Sequence, residues 1–176
     1  MPPDLILRSE LPADGNSVEA LYARAFGPGR HARSAYRMRG ASMDDKGVAV
    51  VAERNGLVIG AIRQTAVLVG GAPSYLLGPL AVAETAAKQG IGRALMHRAL
   101  AHTRERGASG IVLVGDLPFY AAFGFVPADG AVWLPWPFEA HRLLVLPFEG
   151  AMAGAVEVFD WVDEGVGHVF GSETQV

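Results

Sequence analysis

The stretch Leu80-Ala81-Val82-Ala83-Glu84-Thr85-Ala86-Ala87-Lys88-Gln89-Gly90-Ile91-Gly92-Arg93-Ala94-Leu95 decides the fold. Its first three residues end an apolar run that begins at Ser74, and its last residues open a segment with helical spacing. From Gly90 to Arg106 the apolar residues Ile91, Leu95 and Ala99 share one row and Met96 and Leu100 the next. Arg93, His97, Arg104 and Glu105 face away from them. This is the pattern of an amphipathic helix, and Gly107 is its natural stop. Ile111-Val112-Leu113-Val114 follows, an aliphatic run suited to a buried central strand. Strand, helix and buried strand in that order form a right-handed crossover, so strands 74–82 and 111–114 are predicted to run parallel.

Upstream, the signals are antiparallel. Val48 to Arg54 reads as a strand, Asn55-Gly56 as a tight hairpin turn, and Leu57 to Val69 as the returning strand. Gly70-Gly71-Ala72-Pro73 makes a second reversal into strand 74–82. Leu5 to Arg8 is a first short strand, and Val18, Leu21, Tyr22, Ala25 and Phe26 have helical spacing. Asp14 and Asn16 are candidate caps for that helix, and Gly27-Pro28-Gly29 ends it. Arg30 to Arg39 reads as a short second helix carrying Arg30, Arg33, Arg37 and Arg39. Downstream, Asp116 to Phe123 reads as a short helix with Gly124 turning the chain out, and His141 to Pro147 as a last strand. Residues 150–176 have no clear pattern. The predicted class is α/β of the mixed kind: a mostly antiparallel sheet flanked by helices, with one crossover.

Composition sets the outer bounds. A chain of 176 residues, 51% of them hydrophobic, suits one domain with a sizeable core. We read residues 1–176 as that domain, with its motif-bearing core at 48–148. The net charge of −3 gives no general attraction to nucleic acid or anionic membrane. With no cysteine, disulfides, thiolate catalysis and Cys-based metal sites are excluded. His97, His102 and His141 lack the spacing of metal ligands, so no metal is expected. No signal peptide is visible at the start and no apolar run is long enough to span a membrane, so a soluble cytoplasmic protein is the expectation.

Gly90 and Gly92 sit where the helix begins. A helix N-terminus offers unpaired N–H groups and a partial positive charge, and glycines let an anion approach that backbone. Together they suit a pyrophosphate. The same glycines would also serve a plain strand-to-helix turn. A Rossmann fingerprint would need its first glycine directly after the strand and a third small residue where Leu95 stands; a Walker loop would need Gly-Lys-Ser/Thr.

The segment from Leu80 to Leu95 resembles the Gln/Arg-x-x-Gly-x-Gly/Ala loop of the GNAT superfamily of N-acetyltransferases. A second block, Phe119-Tyr120-Ala121-Ala122-Phe123-Gly124-Phe125, is similar to that family's Tyr-x-x-x-Gly-Phe segment. One position departs: Ala87 stands where the family has Gln or Arg. The resemblance implies acetyl-CoA as cosubstrate. It implies that Gln89, Gly90, Ile91, Gly92, Arg93 and Ala94 cradle the pyrophosphate, and that the amides of Leu80, Ala81 and Val82 line the pantetheine arm and polarise the thioester carbonyl. It implies that Tyr120 protonates the departing thiolate. That transfer is uphill in water by roughly 2 kcal/mol, from reference pKa values of about 10 and 8.5.

The resemblance leaves the general base and the acceptor open. Asp116 is a weak candidate for the base, its Asp-Leu-Pro context reading better as a helix cap; Glu84 is weaker still. The acceptor is a primary amine, on a small molecule or a peptide. The arginines at 30, 33, 37 and 39 would border its site by resemblance, or form a solvated face. The loop of Trp133, Pro135, Trp136 and Pro137 would wall the acceptor pocket or pack against a second copy in a homodimer. Two rival readings remain. One is a non-catalytic acyl-CoA-binding sensor or degenerate family member, which Ala87 favours and Tyr120 opposes. The other is a nucleotide-binding α/β protein using the same loop.

Overall fold

The computed structural model describes residues 4–29, 49–160 and 168–169. The predicted helix at 30–39, its arginines and Val48 lie outside them. Strands β1 (Leu5–Ser9), β2 (Val50–Arg54), β3 (Leu57–Val69) and β4 (Ala72–Val82) pair antiparallel in sequence order. Helix α1 (Gly15–Phe26) follows β1, and α2 (Ile91–Glu105) carries the chain from β4 to β5 (Gly110–Val114). β4 and β5 run parallel, as the crossover predicts. A short helix α3 (Leu117–Tyr120) and a turn of 3-10 helix (Ala121–Phe123) lead to β6 (Val126–Pro127) and β7 (Val132–Trp133). β8 (Leu143–Pro147) pairs antiparallel with both β5 and β6. β9 (Gly154–Asp160) pairs with β7, β10 (His168–Val169) and the far end of β3. The sheet is mixed and mostly antiparallel, which removes the wholly parallel nucleotide-binding alternative.

The turns form for local reasons. Asn55 and Gly56 have φ of 52° and 75°, and Gly70 and Gly71 have 56° and 82°. Positive φ at both central residues defines the two-residue hairpin whose twist matches that of the strands. Alternation then sorts the sheet faces. Ile62, Ala66 and Leu68 of β3 join Ile91, Leu95, Met96 and Ala99 of α2 in one core. Ala61 and Ala81 meet Val18, Leu21 and Tyr22 of α1 on the other face. Gly60 lets α2 sit close: a Cβ there would lie 3.0 Å from Leu95 Cδ1 and 3.1 Å from Ile91 Cγ2.

Several boundaries differ from expectation. α1 starts at Gly15, one residue before Asn16, and Asp14 caps it with no side-chain bond. The Asp14 carboxylate is taken by Arg8, at 2.6 and 2.9 Å, and by the Leu11 N–H at 2.7 Å. That charge-assisted pairing outcompetes a neutral cap and holds the Asp14 carboxyl below its usual range. β8 begins at Leu143, because Ala140–Arg142 is a 3-10 turn that includes His141. It is also not the last strand. β9, from the patternless region, is recruited by the edge of β3 that β2 leaves open beyond Ile62.

Candidate active site

The site begins with a fault in the sheet. β3 and β4 are in register at Ile62↔Leu80 and again at Gln64↔Leu77, so Gly78 and Pro79 together oppose Arg63 alone. This is a β-bulge, which bends and twists its strand. Gly78 has φ 134°, where other residues are strained, and Pro79 has no N–H to give a ladder. β4 therefore pairs with β5 only at Tyr75↔Ile111 and Leu76↔Val112. Beyond those pairs the parallel strands part, and a cleft of about 790 Å³ opens between them. From behind, Tyr22, wholly buried in α1, donates its hydroxyl to the Pro79 carbonyl at 3.1 Å. Arg63 packs over the Tyr22 ring and bonds Glu10 and Glu19.

Past the bulge, backbone alternation divides the predicted amides. The Ala83 N–H donates to the Ile59 carbonyl at 2.8 Å. In an antiparallel ladder alternate residues point the same way, so the Ala81 N–H also faces β3. The N–H groups of Leu80 and Val82 point to the open side, where β5 has left. The Ala81 amide belongs to the β3 ladder, and its side chain packs under α1.

Tyr120 ends α3 on the opposite wall of the cleft, with Asp116, Glu139 and Arg142 on the same wall. Its ring is wedged between Phe119 and Phe125, at centroid distances of 4.9 and 5.8 Å. The phenol is pushed up to about 12, chiefly by burial, with the Asp116 carboxylate adding to the rise and the Arg142 guanidinium opposing it. Asp116 stands at the N-cap of α3 but makes no side-chain cap bond. It is drawn instead to Arg142, whose Nε lies 3.2 Å away, while Arg142 Nη1 holds Glu139 at 3.0 Å. The ion pair over-rides the cap expected from Asp-Leu-Pro.

Gly90 caps α2 in the left-handed region, φ 78°, and Lys88 before it has φ 61°. Within α2 the Ala94 N–H bonds the Gly90 carbonyl at 3.0 Å, so the amides of Ile91, Gly92 and Arg93 have no acceptor inside the helix. A Cβ at Gly90 would meet nothing within 4 Å. Gln89 is turned toward Arg54, which donates to its Oε1 at 3.0 Å, and Gln89 Nε2 reaches the Thr85 carbonyl at 3.4 Å. Arg54 was not singled out by the sequence. The β2–β3 hairpin brings it to the loop that Ala87 leaves without a long side chain, and no local pattern announces such a contact.

The aromatic loop divides. Pro137 and Phe138 line the cleft, Trp136 packs against the core formed with β7 and β8, and Trp133 is exposed on β7. Phe26, Glu139 and Arg142 line the cleft too, although their sequence contexts carry no motif. Glu84 lies in a 3-10 turn after β4 and is exposed. Among the described residues no group of three or more His, Asp or Glu could hold a metal ion, and no helix is long and apolar enough to cross a membrane.

Comparison with known proteins converges on one family. Residues 45–127 match the model described as acetyltransferase (GNAT) domain. The uncharacterized N-acetyltransferase YhbS of Escherichia coli K12 is 31% identical over 147 residues, covering 79% of this chain and 87% of that protein. The crystal structure of YhbS in complex with CoA superposes with a TM-score of 0.73 at 26% identity, over 88% of this chain and 89% of that one. A GNAT family acetyltransferase from Brucella melitensis, solved with acetyl-CoA, gives a TM-score of 0.67 at 30% identity, over 86% and 94%. With the crossover, the parted strands and the glycine loop all in place, the chain belongs to the GNAT family of acetyltransferases.

Proposed function

We propose that this protein is a single-domain enzyme that transfers an acetyl group from acetyl-CoA directly to a primary amine. The observation that carries the reading is the parting of β4 from β5 beside Tyr120, which leaves the Leu80 amide facing a cleft and the Val82 amide on the same open strand edge. The residues fit the coenzyme. The free amides of Ile91, Gly92 and Arg93 and the open space over Gly90 suit a pyrophosphate. Gln89 and Ala94 flank them.

Acetyl-CoA supplies an acyl thioester, whose thiolate must leave with a proton. The amides of Leu80 and Val82 hold the pantetheine and donate to the thioester carbonyl as negative charge grows there. Tyr120 carries the proton. Its raised pKa keeps it protonated, so that it holds the proton the thiolate needs. Asp116, on the wall with Tyr120, takes the proton of the attacking amine. The acceptor, a small molecule or a peptide end, approaches between Phe26 and Phe138.

Thermal shift with acetyl-CoA, followed by thiol release over a panel of amines, tests the reading. Stabilisation with thiol release on at least one amine is expected. No stabilisation at millimolar coenzyme would remove it; stabilisation without release on any amine would favour a sensor. For the base, Asp116→Asn should lower kcat roughly 10²-fold, whereas Glu139→Gln should not.

A further inference from the structure

The bulge that opens the cleft is held from the far side of the sheet. Pro79 has no place in the β3 register, which steps from Ile62↔Leu80 to Gln64↔Leu77. Its carbonyl accepts the Tyr22 hydroxyl instead, at 3.1 Å, and Tyr22 is wholly buried. Arg63, the residue opposite the bulge, lies over the Tyr22 ring, its guanidinium carbon 5.5 Å from the centroid. Nε of that guanidinium is tied to Glu10 at 2.6 Å, and Nη1 to Glu19 of α1 at 2.8 Å. The carboxylates thus fix the cation, and the cation and the Pro79 bond fix the ring.

The carbonyl that Tyr22 holds and the amide of Leu80 are two ends of one peptide group. A trans peptide is planar, with its C=O and N–H pointing in opposite directions. Pinning the Pro79 carbonyl toward α1 therefore aims the Leu80 N–H the other way, at the strand edge that β5 has left. The two ends also communicate. A donor on the carbonyl draws electron density from the amide nitrogen, so the N–H becomes a stronger donor, and successive hydrogen bonds polarise one another where water does not screen them. We propose that Tyr22 is a positioning residue for the acetyl transfer, acting through the Pro79–Leu80 peptide to aim and strengthen the Leu80 N–H at the thioester carbonyl, with Arg63 fixing its ring; this rests on the acetyl-CoA reading above. A donor to a developing oxyanion is worth about 10²–10³ in kcat. A bond that strengthens it by about 10–30% should then account for roughly two- to eightfold.

The test is infrared spectroscopy of acetyl-CoA, isotopically labelled at the thioester carbonyl and bound to the full chain, beside steady-state kinetics. A stronger donor pulls the carbonyl stretch to lower frequency. Tyr22→Phe should therefore raise the frequency of the bound stretch and lower kcat by roughly two- to eightfold, a larger factor than the accompanying rise in KM for acetyl-CoA. Placing 3-fluorotyrosine at residue 22 makes the hydroxyl a stronger donor with little change of size, and should move the stretch the other way. That second variant decides the matter even if Tyr22→Phe does not fold, and the infrared measurement needs no acceptor. A tyrosine that only packs against the bulge would give a stretch indifferent to both substitutions, or a rise in KM with kcat unchanged; either result would overturn the proposal. A wild type that binds and turns over acetyl-CoA with such an indifferent stretch removes the role of Tyr22 alone. If the wild type binds no acetyl-CoA, the coenzyme reading itself falls, and the role of Tyr22 with it.

Discussion

Gly115 lies flat against the ring of Tyr120: a Cβ at residue 115 would overlap Tyr120 Cε2 and come within 3.0 Å of Tyr120 Cδ2 and of Leu113 Cδ1. The glycine that follows β5 thus sets how deeply the proposed acid sits in the cleft. Gly115→Ala must move the ring, since Leu113 behind it is buried. We expect a stability loss of about 1–3 kcal/mol from overpacking and a fall in kcat larger than any rise in KM for acetyl-CoA. A double-mutant cycle checks the cause. If the damage runs through the hydroxyl, Gly115→Ala should cost little further kcat in a Tyr120→Phe background.

Tyr120→Phe keeps the ring and its packing, so it should leave coenzyme affinity nearly unchanged while lowering kcat by roughly 10²-fold. The pH dependence follows from the raised pKa. The folded protein holds the phenolic proton more tightly than the unfolded chain, so the stability due to this group is complete below pH 10 and lost as pH rises through about 12. Turnover should therefore show no loss from Tyr120 ionisation at pH 10, the ordinary tyrosine value. A basic limb in kcat centred below pH 10 that disappears in Tyr120→Phe would contradict the burial of the phenol.

At Gly92 the surroundings separate size from charge. An added Cβ would make only ordinary contacts, 3.7 Å to Val82 Cγ2 and 3.8 Å to Phe119 Cζ. Gly92→Ala should raise the melting temperature of the free protein, by about 0.5–1 kcal/mol of helix stability, and keep much of the coenzyme response. Gly92→Glu places a carboxylate where the phosphates would sit, and should abolish that response; at a hundredfold excess over Kd the wild-type response is worth about 2.7 kcal/mol. Equal responses from wild type and Gly92→Glu would place the pyrophosphate elsewhere.

Tyr22→Phe tests what holds the bulge. It removes the donor to the buried Pro79 carbonyl, and leaving such a group unpaired costs about 1–3 kcal/mol. Urea denaturation should show that loss, and KM for acetyl-CoA should rise, because the bulge decides where β4 leaves β5. A stability loss with KM unchanged would reduce Tyr22 to a packing residue.

Much of this arrangement was legible in the chain. The rows Ile91-Leu95-Ala99 and Met96-Leu100 foretold α2, Asn55-Gly56 foretold its hairpin turn, and Gly90 and Gly92 marked the helix start. Each of these depends on residues a few positions apart, so local periodicity and backbone preference suffice to read them. Asp14 and Asp116 do stand at the N-caps the sequence marks, but neither side chain makes the cap bond, because Arg8 and Arg142 compete for those carboxylates. For Asp116 the competing arginine lies on a distant segment.

By itself, then, the sequence determined α1 and α2, the hairpins, the crossover and the loop with its exposed amides. Only the tertiary structure decided that Gly78 and Pro79 oppose Arg63, that β4 and β5 part after Leu76, and which of the amides at Leu80, Ala81 and Val82 face the gap. It alone brought Arg54 to Gln89 and Arg142 to Asp116, and recruited β9 to the edge of β3. These are registers and contacts between segments remote in sequence. They are settled by which strand edges and charges remain unpaired once the rest of the sheet has formed, and no local pattern encodes that remainder.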